Sequence, residues 1–114
     1  MTTFKHKFTF EQRKDEAHKI MLKHPDRIPV IVELSGKTSF QLDKQKFLVP
    51  TNLTIGQFMY VIRKRLKITP EKAIFFFCNN RIPASSTLIN KLYTNHKDQD
   101  TFLYLNISEE NVFG

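Results

Sequence analysis

Apolar positions recur along this chain in two rhythms, and each change of rhythm marks an element. Phe10, Ala17, Ile20, Met21 and His24 follow one another at helical spacing until Pro25, and Thr9-Phe10-Glu11-Gln12 ahead of them has the Thr-x-x-Gln form of a capping box. The spacing predicts an amphipathic helix with a basic outer face. The preceding segment, Phe4 to Phe8, suits either a helical turn or disorder. Ile28 to Leu34 is a β-branched apolar run ending at Ser35-Gly36, which predicts a buried strand with a turn behind it. Lys46 to Pro50 predicts a second strand, at a sheet edge because Pro50 has no N–H for a ladder. A second capping box, Thr54-Ile55-Gly56-Gln57, opens a helix whose Ile55, Phe58, Met59, Ile62 and Leu66 keep to one face. Ala73 to Cys78 is a continuous apolar run bounded by Pro70 and Asn79-Asn80, which predicts a central strand. Ser86 is placed to cap a short helix through Leu88 and Leu92, and Phe102 to Ser108 supplies the last strand. The order is helix, strand, strand, helix, strand, short helix, strand. It permits a mixed sheet wrapped over one long helix, an α+β architecture.

Length adds that this is one domain, since 114 residues can bury roughly two-thirds of the surface of the unfolded chain. No repeat, linker or low-complexity segment divides it; the reading is a helical extension over 1–25, a core over 26–108 and a tail over 109–114. The single Cys78 has no partner for an internal disulfide and reads as a small buried hydrophobe rather than a reactive thiol. No secretory leader pattern opens the chain and no apolar stretch approaches the ~20 residues that span a bilayer, so a reducing, cytoplasmic setting is expected and any membrane attachment must be acquired. Asn52-Leu53-Thr54 and Asn106-Ile107-Ser108 match the glycosylation sequon, to no effect in that setting. A net charge of +7 favours anionic partners: acidic peptides, anionic lipid or nucleic acid. The basic residues, Arg13, Lys14, Lys19 and Lys23 among them, are spread along the chain and many suit the solvated faces of the predicted helices.

Candidate chemistry points away from catalysis. His6, His18, His24 and His96 lack metal-ligand spacing, no serine sits in a nucleophile elbow, and no glycine-rich loop precedes a helix. Neither metal nor cofactor is expected. Binding is better founded. Along Lys46-Phe47-Leu48-Val49-Pro50 side chains alternate, so Lys46 and Leu48 face one way and Phe47 and Val49 the other. One edge strand can therefore wall two pockets, while its free backbone pairs with an extended peptide. The chain as given closes on Gly114, whose lack of a side chain suits a carboxylate passed from adenylate to thioester to amine, although a terminal glycine is weak evidence alone.

Pro25-Asp26-Arg27-Ile28-Pro29-Val30-Ile31-Val32-Glu33, Lys46-Phe47-Leu48-Val49-Pro50, Leu53-Thr54-Ile55-Gly56-Gln57-Phe58, Ile62-Arg63-Lys64-Arg65 and Phe75-Phe76-Phe77-Cys78-Asn79-Asn80 closely resemble the autophagy-related protein 8 family, which includes GABARAP and microtubule-associated protein light chain 3. Lys97 to Tyr104 and Ser108-Glu109-Glu110 continue the resemblance over essentially the whole chain. It implies a ubiquitin-like β-grasp with additional N-terminal helices. It implies a modifier whose Gly114 is amide-linked to phosphatidylethanolamine on autophagosomal membranes, served by activating and conjugating enzymes and by a processing and delipidating cysteine protease. It further implies that cargo receptors and adaptors dock through aromatic-x-x-aliphatic motifs.

Carried over residue by residue, a first pocket for the aromatic anchor falls on Glu16, Ile20, Pro29, Ile31, Lys46, Leu48 and Phe102. A second, for the aliphatic one, falls on Phe47, Val49, Pro50, Leu53, Phe58, Val61, Ile62 and Arg65. Arg27 and Lys44 are expected to meet acidic peptide side chains. Ile31, Ile62 and Phe58 suit a core as well as a pocket wall, whereas Lys46 and Arg65 do not. His24 and Ile107 stand where the family commonly has an aromatic and a tyrosine, a departure that bears on fine specificity. An unconjugated adaptor and a basic nucleic-acid module built on Arg63-Lys64-Arg65 are the rival readings; nucleic acid is not expected as a partner.

Overall fold

The computed structural model describes residues 3–110. Its elements run α1 (Phe4–Lys7), α2 (Phe10–Lys23), β1 (Arg27–Leu34), β2 (Lys46–Pro50), α3 (Ile55–Arg65), β3 (Ile74–Phe77), α4 (Ile89–His96) and β4 (Leu103–Glu109). Both predicted capping boxes form: the Thr9 and Thr54 hydroxyls accept from the Gln12 and Gln57 N–H groups, and each glutamine side chain accepts the N–H of its threonine. The short segment ahead of α2 is a helical turn capped by Thr3.

The strands form one mixed sheet in the order β2-β1-β4-β3. β1 runs antiparallel to β2 and parallel to β4, and β3 runs antiparallel to β4. β2 thus occupies an edge, as Pro50 predicts. The expectation of a central strand at Ala73 to Cys78 is corrected: β3 is the opposite edge and pairs with β4 alone. A continuous apolar run reports burial on the faces of a strand and says nothing of its neighbours in the sheet. Here Ile74 and Phe76 are buried, while Phe75 and Phe77 are half-buried.

Ser86 is corrected as well. α4 is preceded by Leu88, which makes no side-chain cap, and the Ile89 N–H donates to the Leu53 carbonyl at 2.8 Å. The loop carrying Ser86 serves α3 instead, since the Ser85 and Thr87 carbonyls accept from the N–H groups of Gly56 (2.9 Å) and Ile55 (2.8 Å). Tertiary contact replaces the side-chain cap at one helix start and supplements it at the other. A Cβ at position 56 would lie 3.2 Å from the Ser85 oxygen, so any larger residue there would have to push the loop back by a few tenths of an ångström.

The sheet carries a core on each face. On the α3 and α4 side, Val30, Val32, Phe47, Val49, Phe58, Ile62, Phe76, Ile89, Leu103, Leu105 and Ile107 form the main cluster, with Phe58 stacked on Phe76 at 5.4 Å between ring centroids. Cys78 is buried there. On the other face a smaller cluster of Phe4, Ala17, Ile31 and Phe102 lies beneath α1 and α2. Arg13, placed by sequence among the solvated cations, is 8% exposed. Its Nε donates to Asp100 Oδ2 at 2.8 Å and an Nη to the Phe8 carbonyl at 2.8 Å, so a buried partner far along the chain claims it.

Candidate functional site

The backbone of β2 defines the site. The Val32 N–H donates to the Gln45 carbonyl (2.8 Å) and the Thr51 N–H to the Asp26 carbonyl (3.1 Å). Pro29, opposite Leu48, has no N–H to give. In an antiparallel ladder hydrogen-bonded pairs alternate with unbonded ones, so the bonded pairs are Val30 with Phe47 and Ile28 with Val49. Lys46 and Leu48 therefore turn their main-chain N–H and C=O groups outward, to the open edge. Their side chains are exposed, while Phe47 and Val49 are 8% and 2% exposed and point into the main core.

Between α2 and β2 runs a groove of about 590 Å³ lined by Glu16, Lys19, Ile20, Lys23, His24, Lys44, Lys46, Phe47 and Leu48. Its floor is apolar at Ile20, Phe47 and Leu48, and its rim is cationic. Lys46 Nζ donates to Glu16 across the groove, and Lys44 Nζ lies 4.7 Å from the centre of the Phe47 ring. Of the residues assigned to a first pocket, Glu16, Ile20, Lys46 and Leu48 line this groove together. Pro29, Ile31 and Phe102 lie buried beneath the surface. Lys19, Lys23 and His24 line the groove and were not assigned to a pocket from sequence, although His24 stands out there as a departure from the family pattern. The signal was there: Glu16, Lys19, Ile20 and Lys23 fall three and four residues apart on one helix face.

The residues assigned to a second pocket are more dispersed. Leu53 and Val61 line a cleft of about 480 Å³ between α3 and the loop at Ser85 and Ser86. Phe47, Val49, Phe58 and Ile62 belong to the main core, and Pro50 is half-buried at the end of β2. Arg65 is exposed and held by Asp43, with Nε to Oδ1 at 3.1 Å and an Nη to Oδ2 at 2.7 Å. This hydrogen-bonded pairing keeps the Asp43 carboxyl below the usual carboxylate range. The Arg65 guanidinium also sits 5.9 Å from the Phe47 ring. Arg27 and Lys44 are both exposed, Lys44 at the groove and Arg27 at the start of β1. Gly114 lies outside the described residues.

A family model described as autophagy protein Atg8, ubiquitin-like, matches residues 12–114. The chain belongs to this Atg8 family. It is 53% identical to autophagy-related protein 8 of Mycosarcoma maydis, over 99% of this chain and 97% of that one. It is 50% identical to autophagy-related protein 8d of Arabidopsis thaliana, over 100% and 96% of the two chains. Among solved structures it is similar to Trypanosoma brucei ATG8, with a TM-score of 0.91 at 41% identity over 100% of this chain and 99% of that one. It is also similar to Plasmodium falciparum Atg8 in complex with a Plasmodium falciparum Atg3 peptide, with a TM-score of 0.85 at 32% identity over 96% and 100%. The ubiquitin-like α+β fold expected from the resemblance is thereby established. As an Atg8-family member the chain is a ubiquitin-like autophagy protein rather than an enzyme. No helix among the described residues is long and apolar enough to cross a membrane.

Proposed function

We propose that this Atg8-family protein docks extended aromatic-x-x-aliphatic peptides along the edge of β2, and that Gly114 is conjugated to phosphatidylethanolamine on autophagosomal membranes. The observation that carries the docking is the coincidence on Lys46 and Leu48 of outward main-chain groups and groove-lining side chains. A peptide paired with that edge gains main-chain hydrogen bonds and lays an aromatic side chain over Ile20 and Leu48. The aliphatic residue would sit toward Leu53 and Val61, over the buried Phe58 and Ile62. Acidic residues ahead of the motif meet the cationic rim at Lys44 and Lys46, and Arg27 offers a further cation at the Pro50 end of β2. Cargo receptors and adaptors are partners of this kind, and the Atg3 peptide held by the Plasmodium relative suggests a conjugating enzyme as another.

An activating enzyme, conjugating enzymes and a processing cysteine protease act on the C-terminal segment. The protein is then cytoplasmic until acylated, and autophagosomal once it carries two fatty chains, enough for stable anchoring where one chain gives only marginal binding. The 114 residues serve as one domain, the N-terminal helices forming one wall of the groove.

Two measurements test the reading. Calorimetric titration with an acidic aromatic-x-x-aliphatic peptide is expected to show micromolar binding that Leu48→Ala weakens by about 1 to 3 kcal/mol, roughly 5- to 150-fold. Unchanged affinity in a folded variant would overturn the groove assignment. A single-stranded oligonucleotide titrated alongside must bind more weakly and lose affinity steeply with salt. Reconstitution with the activating and conjugating enzymes, nucleotide and phosphatidylethanolamine liposomes is expected to give a lipid adduct that deleting Gly114 abolishes. Absence of the adduct while a known relative reacts would leave an unconjugated adaptor.

A further inference from the structure

We propose that Ser39 is a positioning residue for the C-terminal segment, acting through Glu109; the inference rests on the conjugation reading above. Glu109 is the last residue of β4, and five residues lead from it to Gly114. Its Oε1 accepts two hydrogen bonds from Ser39, one from the backbone N–H at 2.9 Å and one from the hydroxyl at 2.7 Å. Lys72 Nζ stands 3.8 Å from the other oxygen. The Glu109 side chain is 11% exposed, and the two Ser39 donors hold its carboxyl below the usual carboxylate range. One residue further on, the Glu110 N–H donates to the Ala73 carbonyl at 2.8 Å. The chain is therefore pinned on two sides where it leaves the sheet.

Ser39 is itself fixed. It lies in the connection between β1 and β2, where Phe40 and Leu42 pack against the main core and Asp43 is held by Arg65. A loop without such anchors could not direct another segment; this one presents two donors from a set place. Glu110 to Gly114 span at most about 18 Å when extended. An enzyme that receives Gly114 must therefore open its slot within that radius of the clasp, near the corner formed by Ser39, Lys72 and Ala73. Holding Glu109 and Glu110 fixes the point and direction from which the chain leaves the sheet toward the slot, as pre-organisation does elsewhere.

The test compares wild type, Ser39→Ala, Ser39→Thr, Glu109→Ala and the Ser39→Ala/Glu109→Ala double variant in the reconstituted conjugation, with wild-type peptide affinity and melting temperature measured beside each. Loss of one such hydrogen bond is expected to lower kcat about 2- to 10-fold. KM should change little, because the body of the fold still docks. The double variant should be no slower than the slower single one, since both changes cut the same link, and Ser39→Thr should restore the rate. Amide exchange at Glu110 should quicken in Ser39→Ala. Unchanged rates, unchanged exchange, or a fall in melting temperature and peptide affinity in step with the rate would each overturn the positioning role. A wild-type chain that forms no adduct beside a reactive relative overturns the conjugation reading first, and the positioning role with it.

Discussion

The two faces of the sheet are built on different principles. Toward α3 and α4 the core is large and apolar, with Phe47, Phe58 and Phe76 in ring-to-ring contact. Toward α1 and α2 the apolar cluster is small, and the buried Asp100 carboxylate accepts from Arg13, the Phe102 N–H and the Tyr104 hydroxyl. No buried side-chain polar atom among the described residues is left without a partner. An apolar face is sealed by area and tolerates little empty space. The other face relies on its buried ion pair as well as on its small apolar cluster, and α2, fixed through Arg13, leaves a groove between itself and β2. The groove proposed for the aromatic anchor lies on this second face, while the cleft proposed for the aliphatic one lies beside α3.

The comparison breaks most strongly at the apolar face. Phe76→Ala should cost about 3 to 5 kcal/mol, because a ring that is 2% exposed leaves a cavity its neighbours cannot fill. Chemical denaturation should show a lowered midpoint with the slope unchanged.

At the polar face Asp100→Ala should cost about 3 kcal/mol, since the Arg13 guanidinium stays buried without its counterion. Here the loss should be uneven. Amide exchange is expected to quicken in α1 and α2 before it does in β4, and peptide affinity should fall with it; uniform quickening would show that the two faces unfold as one unit. The same cluster sets an alkaline limit. Burial and the bond to Asp100 push the Tyr104 phenol well above its ordinary pKa. A raised folded value means that the stabilisation is complete below the unfolded pKa of about 10 and is lost as the pH rises beyond it. Denaturation midpoints of wild type should therefore decline above about pH 10 more than those of Tyr104→Phe.

The smallest effects belong to the capping boxes. Thr54→Ala and Thr9→Ala should each cost about 1 kcal/mol. Because α2 walls the groove that takes the aromatic anchor, Thr9→Ala should weaken peptide binding more than Thr54→Ala, whose helix reaches the peptide only through Val61 of the second cleft. Equal losses of affinity would dissolve the distinction between the faces.

Much of this was legible in the sequence because it is local. Both capping boxes, the bounds of α3 and the alternation along Lys46 to Pro50 follow from spacing and from the loss of an N–H at proline. The groove residues Glu16, Ile20, Lys46 and Leu48 were found by resemblance, and helical periodicity held the signal for Lys19 and Lys23 beside them. What stayed hidden was decided by partners distant along the chain. Arg13 reads as one more solvated cation until Asp100, 87 residues away, closes on it. Ala73 to Cys78 reads as central until the parallel pairing of β1 with β4 sends it to the edge. Ser86 reads as a cap until the Leu53 carbonyl takes the helix start.

By itself, then, the sequence determined which segments from Phe10 onward are helix or strand, which face of each is apolar, and the family to which the chain is similar. These depend on residue type and on spacing within a turn or a strand. Only the tertiary structure decided the order of strands, the partner of each buried charge and the joining of α2 to β2 as one groove. Those are choices among many pairings that local propensity leaves nearly equal in energy, and the packing of the whole chain at once selects one.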